Sequence, residues 1–193
     1  MPARNAGDSA TDLPPGLDPL GLLVPRTRVN NASIMKLSMN IRNAKDSDLR
    51  EISRLLYQIN SEHHEHAPSV FAIPEDQESD YWRNKVNDIE KLFIAAQLDA
   101  KLVGLITATI TNNYEVPFLS HHMVCRVGTI VVDVRHRHAG IGRLLMAKAE
   151  EWAAKQGANE IRLEVMEFNQ RAMSFYANDG YETQSRIMSK WIV

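Results

Sequence analysis

Apolar and polar positions fall into regular periods from Leu37 onward. "LSMNIRNA" at 37–44 alternates as a first strand does. Asp46 then caps a helix through "SDLREISRLLYQINSEHH", in which Leu49, Ile52, Leu55, Leu56 and Ile59 share one stripe. Two prolines break the pattern in "HAPSVFAIPED", 66–76. A second helix follows at about 77–90, with Tyr81, Trp82, Val86 and Ile89 as its apolar positions. "KLFIAAQL" and "KLVGLITATITNN" flank Asp99 and Ala100 as the arms of a hairpin. After the loop "YEVPFLSHHM" comes the β-rich run "VCRVGTIVVDV", 124–134. A long helix over 141–156 turns Ile141, Leu144, Leu145, Lys148 or Ala149, and Trp152 toward the sheet, and Gly157 ends it. "EIRLEVM" reads as a strand and "NQRAMSFYAND" as a helix capped by Asn169. Gly180 follows, and "YETQSRIMSKWIV" closes the chain as strand or hairpin material. The order predicts a mixed α/β domain: a central mixed, twisted sheet with helices on both faces.

The first 35 residues differ. They are proline-rich and carry no sustained period, so residues 1–35 read as a flexible extension, or as sequence ahead of an internal start at Met35 or Met39. Residues 36–193 read as one domain. "LGLLV" at 20–24 follows acidic residues and is closed by Pro25, which argues against a signal peptide. The apolar share of 44%, the charged share of 24% and a net charge of -2 describe an ordinary soluble chain with no global pull toward polyanions. The single cysteine, Cys125, rules out an intramolecular disulfide and suits a reducing, cytoplasmic location. In an apolar strand it reads as core rather than as a nucleophile. No stretch reaches the roughly 20 apolar residues a membrane span needs.

The informative stretch is "RHRHAGIGRLLMAKAEEW", 135–152. A turn with two glycines joins a strand to a helix whose first N–H groups have no intrahelical partner. Glycine allows a tight turn and a close approach to the backbone, and the helix end is positive, so the turn can hold an anion. It can equally be a turn whose glycines serve steric needs alone. It is not a P-loop, because Arg-Leu follows Gly142, and it is not a dinucleotide fingerprint, because position 145 is Leu. The basic cluster 135–138 lacks the interleaved aromatics of single-strand nucleic-acid binders, and no nucleic-acid partner is expected.

Val132 to Leu145 resembles the acetyl-CoA signature of the GNAT superfamily of N-acetyltransferases, whose core R/Q-x-x-G-x-G/A falls on Arg137, Gly140 and Gly142. A second element of that family matches "LEVMEFNQRAMSFYANDGYE", 163–182, and "IRNAKDSDLREISRLL" resembles its usual opening. The likeness covers roughly 38–193. Departures are Val134, where many members have proline, and His138, where many have glycine. The resemblance implies a GNAT-like acyl-CoA N-acyltransferase fold with acetyl-CoA as co-substrate. Val132, Val134, Arg137, His138, Ala139, Gly140, Ile141, Gly142 and Arg143 would then take the coenzyme's pyrophosphate and pantetheine arm. Asn169 and Ala172 would lie beside that arm, and Tyr176 would reach the thioester sulfur. Asn169 and Tyr176 are seven apart and share a helix face. By themselves they read as an N-cap and a packed aromatic.

Acetyl transfer to an amine needs a neutral nucleophile, stabilisation of a tetrahedral oxyanion and a proton for the leaving thiolate. The resemblance gives the last task to Tyr176, and direct attack in a ternary complex needs no covalent enzyme intermediate. The base stays open. Many members carry a glutamate where this chain has Gly128 and Thr129, which leaves Asp133, Glu164, His121, His122 or a water chain.

"EHHEHAP", 62–68, lacks the H-E-x-x-H pattern, and no metal site is expected. In the family the loop after the first helix helps form the acceptor cleft. His63, His66 and Phe71 are candidates for that wall here, with His64 and Pro74 beside them. Glu62, Glu65, Glu75, Asp76, Glu78 and Asp80 make the surface acidic and favour a small cationic amine. A peptide amine acceptor, a catalytically silent acyl-CoA sensor and an interaction domain with a purely structural turn are the alternatives. A homodimer is compatible with all of them.

Overall fold

The structure, a computed structural model, describes residues 39–74 and 80–192, without the side chain of Asp80. The extension expected over 1–35 lies outside the described residues, as do Glu75, Asp76 and Glu78. Strand β1 (Met39–Asn43) leads through a short 3-10 turn, Asp46–Asp48, into helix α1 (Leu49–His66). Helix α2 (Asp80–Val86) precedes the hairpin of β2 (Lys91–Leu98) and β3 (Lys101–Asn112). Then come β4 (Met123–Val132), a 3-10 turn at Val134–His136, α3 (Ile141–Lys155), β5 (Glu160–Leu163) and α4 (Gln170–Asn178).

The five strands stand in chain order, β1 to β5. The first four are antiparallel and the last pair is parallel, so the sheet is mixed as expected. Both faces are covered. Leu92, Ile94 and Ala96 of β2 join Ile141, Leu145, Met146 and Ala149 of α3 on one face. Phe93 and Ala95, pointing the other way along the same strand, join Ile52, Leu55 and Leu56 of α1. A Cβ on Gly104 of β3 would stand 3.1 Å from Leu145 Cδ1 and 3.2 Å from Ile141 Cγ2, so glycine there lets the start of α3 sit directly on the sheet.

Three expectations are corrected, and the choice between Lys148 and Ala149 is settled. Asp48, not Asp46, closes the turn before α1: its carboxylate accepts from Lys45 N–H at 3.0 Å and from Arg42 at 2.6 and 2.9 Å. Among the described residues the second helix ends at Val86, short of residue 90. It packs Trp82 and Val86 against the α1 side, while Tyr81 is exposed and Ile89 lies exposed beyond the helix end. On α3 the inward position is Ala149, and Lys148 instead pairs with Glu151 at the surface. Residues 181–192 form no strand or hairpin.

Candidate active site

The backbone around the glycine turn makes two openings. At the β3–β4 pairing the register slips between Thr107 and Ala108, so that Thr107 faces Thr129, Ala108 faces Val127, and Gly128 is left unpaired. β5 pairs with β4 only from Val124 to Val127. From Gly128 to Val132, β4 therefore presents a free edge on that side among the described residues. The second opening is the start of α3. Gly140 is its N-cap, with φ +80° and no side chain to cap the helix, and a Cβ placed there would meet nothing within 4 Å. The N–H groups of Ile141, Gly142 and Arg143 have no intrahelical acceptor. Gly142 faces the Phe175 ring, 3.4 Å from where its Cβ would be.

The turn before Gly140 is pinned from α1. Asp133 is 3% exposed and accepts from Arg54 at 2.5 Å and from Arg135 N–H at 3.0 Å. Burial pushes its carboxyl up, but the Arg135 N–H and the Arg54 guanidinium outweigh burial and hold it at about 2. One turn along α1, Gln58 accepts from Val134 N–H at 3.1 Å. One turn further, Glu62 accepts from Arg137 at 3.0 Å and from Arg171 of α4 at 2.9 Å. Burial opposes ionisation of Glu62, but the two arginines prevail and its carboxyl lies below the usual range. His138 adopts φ +65°, the left-handed region where glycine is at ease and other residues are strained.

Asn169 caps α4, its Oδ1 accepting from Ala172 N–H at 3.0 Å. Two turns on, Tyr176 is 8% exposed, with Phe175 and Tyr181 edge-on at 5.1 and 5.6 Å. Burial pushes its phenol up to about 12, so it keeps its proton at neutral pH. Its hydroxyl has no hydrogen-bond partner among the described residues. Such a group can give a proton and is poorly suited to taking one.

The end of α1 meets the loop after β5. His63 stacks on Phe71 at 4.7 Å and stands edge-on to Phe168 at 5.6 Å, while His66 stacks on Phe168 at 4.8 Å. His64 Nδ1–H donates to the Phe71 carbonyl at 2.8 Å, and His66 Nδ1–H donates to that of Glu62 at 2.8 Å. Burial lowers the His63 pKa, so that ring is neutral near pH 7. Among the described residues no cluster of three His, Cys, Asp or Glu side chains is arranged to hold a metal ion.

Residues 53–181 match the model of the acetyltransferase (GNAT) family. The chain belongs to that family. Its members take the acyl group they transfer from acyl-CoA. No curated protein matches the acetyltransferase by sequence. Among solved structures, a mutant BH1408 protein from Bacillus halodurans is 22% identical over 80% of this chain and 99% of its own, with a TM-score of 0.74. An aminoglycoside N-acetyltransferase, AAC(6')-Iy, in complex with CoA is 19% identical over 80% and 94%, with a TM-score of 0.64. The aminoglycoside acetyltransferase meta-AAC0020, from an uncultured soil metagenomic sample and in complex with sisomicin, is 16% identical over 82% and 98%, with a TM-score of 0.58. At these identities the likeness is one of fold.

Of the predicted coenzyme residues, Val132, Ile141, Ala172 and Tyr176 pack in one cluster, and a Cβ on Gly142 would stand 3.9 Å from Val132 and 3.4 Å from the Phe175 ring, while Val134 is half exposed. The other candidates are dispersed. His121 and His122 precede β4, at the end opposite the glycine turn. There His122 donates to the Ser120 carbonyl at 2.8 Å and faces Glu160 Oε2 at 2.9 Å, so both ring nitrogens are engaged. Glu164 lies exposed just past β5. Cys125 is fully buried, and burial pushes its thiol up to about 11, which suits core and not nucleophile. Sequence reading missed Arg54, Gln58, Glu62 as a tether, and Phe168. Arg54, Gln58 and Glu62 recur every fourth residue, a signal present in the sequence beside the apolar stripe. Phe168 carries no such signal. No helix among the described residues is long and apolar enough to cross a membrane.

Proposed function

We propose that this acetyltransferase uses acetyl-CoA and transfers its acetyl group directly to a primary amine, with a small cationic amine as acceptor. The observation that carries the reading is the uncapped start of α3 behind Gly140, set beside the free edge of β4. The two openings suit a ligand with an anionic pyrophosphate and an amide-bearing arm. Bound acetyl-CoA supplies an activated acyl thioester. The N–H groups of Ile141, Gly142 and Arg143 hold the pyrophosphate, and the Gly128–Val132 edge holds the arm. As the C–S bond breaks, Tyr176 gives its phenolic proton to the departing sulfur, and the proton shed by the newly acylated nitrogen restores the phenol.

For the acceptor, the rings of His63, His66, Phe71 and Phe168 offer a wall on which a cation can rest. Neutral His63 can take a proton from an ammonium seated there. Of the acidic residues first counted on this surface, Glu62 is already paired with two arginines, and Glu65 is exposed. The aromatic wall therefore supports a cationic amine more than the acidic count does. The fold relatives that bind aminoglycosides add support to the same class. Thiol release from acetyl-CoA, measured with polyamines, aminoglycosides, amino acids and short peptides, tests this. The expected result is fastest release with a small polycationic amine. A peptide that outperforms every small amine contradicts the acceptor class, and no release with any amine contradicts the transfer itself.

A further inference from the structure

On the α1 side of the sheet, three strands carry a short polar row where α2 ends. Lys91 of β2 faces Thr109 of β3, and Thr109 faces Arg126 of β4, so the three stand side by side on one face. Two residues along, Phe93 faces Thr107 on that same face, and the Trp82 ring of α2 stands edge-on to Phe93 at 6.3 Å. A cleft of about 150 Å³ opens there, lined by Lys85 from α2 with Lys91, Thr107, Thr109, Arg126 and Gly128.

The lining is cationic and holds no acid. Lys91 pairs with Asp88, and Lys85 Nζ lies 4.5 Å from the centre of the Tyr81 ring. Arg126 is exposed and has no partner among the described residues. With one cation of three answered by Asp88, the cleft keeps a surplus of positive charge, and its favoured occupant is an anion. A guanidinium flanked by two threonine hydroxyls offers donors that match a carboxylate. Gly128 keeps the entrance clear. A Cβ there would stand 3.3 Å from Thr107 Oγ1, so glycine leaves the way open from the edge of β4 into the cleft.

The cleft's position decides which anion, given the coenzyme site proposed above. The pyrophosphate at Ile141–Arg143 lies at the Val132 end of β4, since a Cβ on Gly142 would stand 3.9 Å from Val132 Cγ2. An arm laid along the free edge from there ends at Gly128, which puts the thioester at the mouth of the cleft. The wall for the amine includes Phe168, from beyond β5, whereas the cleft lies across β4, over β2 and β3. The amine comes from the β5 side, and the cleft receives what extends the other way, the acyl chain. We propose that the enzyme also transfers acyl groups that end in a carboxylate, such as malonyl or succinyl, from their coenzyme A thioesters, with Arg126 holding the carboxylate. No further reactant is needed. The amine nitrogen bonds to the thioester carbon, and the C–S bond breaks. The sulfur takes the Tyr176 proton, and the proton shed by nitrogen restores the phenol. The distal carboxylate is unchanged throughout.

Calorimetric titration of paired thioesters into the full chain tests this, malonyl-CoA against propionyl-CoA and succinyl-CoA against butyryl-CoA. Within each pair the carbon count is shared and the terminal charge differs. At least one carboxylate should bind about tenfold or more tighter than its neutral counterpart, and less so at high salt. Arg126→Gln should bring that ratio close to one, and Arg126→Lys should keep part of it. Both variants should melt like the native chain, because the side chain is exposed. A chain that prefers neither carboxylate overturns the proposal, as does a preference that survives Arg126→Gln, and in both cases acetyl-CoA binding still stands. No binding of any thioester, acetyl-CoA included, overturns the coenzyme site itself. If Arg126→Gln instead slows only those amines that carry a carboxylate, the cleft belongs to the acceptor and the proposal falls.

Discussion

The turn after β4 and the wall at the end of α1, which the proposed reaction would use for coenzyme and acceptor, are built by different means. The turn is set by backbone geometry. Gly140 at φ +80°, the unpaired Gly128 and the buried Asp133 each answer a local requirement that few residue types meet. The wall is set by side chains that meet only after folding, His63 and Phe71 from the α1 end and Phe168 from beyond β5. A site made of backbone is confined to narrow sequence patterns and binds one constant ligand. A site made of stacked rings can change its acceptor by exchanging side chains without disturbing the fold. Arg54, Gln58 and Glu62 join the two, since one face of α1 holds the turn while the helix end carries the wall.

Tyr176→Phe removes the proposed proton donor and should have the largest effect. The ring keeps its packing on Phe175 and Tyr181, while the proton donor is lost. Turnover should fall by about 10²–10⁴-fold with acetyl-CoA affinity nearly unchanged. Steady-state kinetics and equilibrium binding on the same two proteins check it. Full activity on a substrate whose chemistry limits the rate would remove Tyr176 from the mechanism.

Arg54→Ala should damage the turn and spare the wall. It strips a buried carboxylate of its cation at a cost of about 2 kcal/mol, held down because Arg54 is one-third solvated. The folded pKa of Asp133 is depressed, so its pairing stabilises the fold above the unfolded value near 3.9 and is lost as pH falls through about 2. The variant should therefore be less stable at neutral pH, with the gap to the native protein closing between about pH 4 and 2. Denaturant melts across that window measure it. A gap independent of pH would mean that Arg54 acts through packing.

Phe168→Ala should do the reverse. Removing two ring contacts worth about 0.5–1.5 kcal/mol each should raise KM for the amine roughly tenfold. Acetyl-CoA affinity should hold, even though Asn169 is the next residue. A parallel loss of coenzyme binding would show that the two regions are not separable.

The smallest effect is a gain. His138→Gly relieves a left-handed backbone, and after the added flexibility of glycine in the unfolded chain it should stabilise by about 0.5–1 kcal/mol. Thermal melts are sensitive enough. A loss of stability would mean that the His138 side chain contributes more than its backbone costs.

These contrasts explain what was legible in the sequence. The helix stripe of α1, the hairpin at Asp99, the Asn169 cap and the glycine turn are local, and each leaves a period or a residue type behind. The end of α2 at Val86 was hidden because Tyr81 and Ile89 mimic a longer apolar stripe. The closing strand was expected because "YETQSRIMSKWIV" has strand-like composition, but a strand needs a neighbour to pair with, and residues 181–192 pair with none. Phe168, and Arg137 and Arg171 as the partners of Glu62, depend on segments that fold together from far apart in the chain; only the every-fourth-residue spacing of Arg54, Gln58 and Glu62 left a local trace. Gly104 looked like one more strand residue until Ile141 and Leu145 were seen against it.

The central claim is that the backbone between Gly140 and Arg143 holds the coenzyme. Calorimetric titration of acetyl-CoA into the native protein and into Gly140→Val, each with its melting curve, tests it most directly. The left-handed φ makes valine strained by about 1–2 kcal/mol, so some loss of melting temperature is expected. The account predicts clear binding by the native chain and at least a tenfold loss in the variant while it remains folded, because the branched side chain enters the open space over the helix end. Equal affinity in two folded proteins, or no heat with the native one, would contradict it.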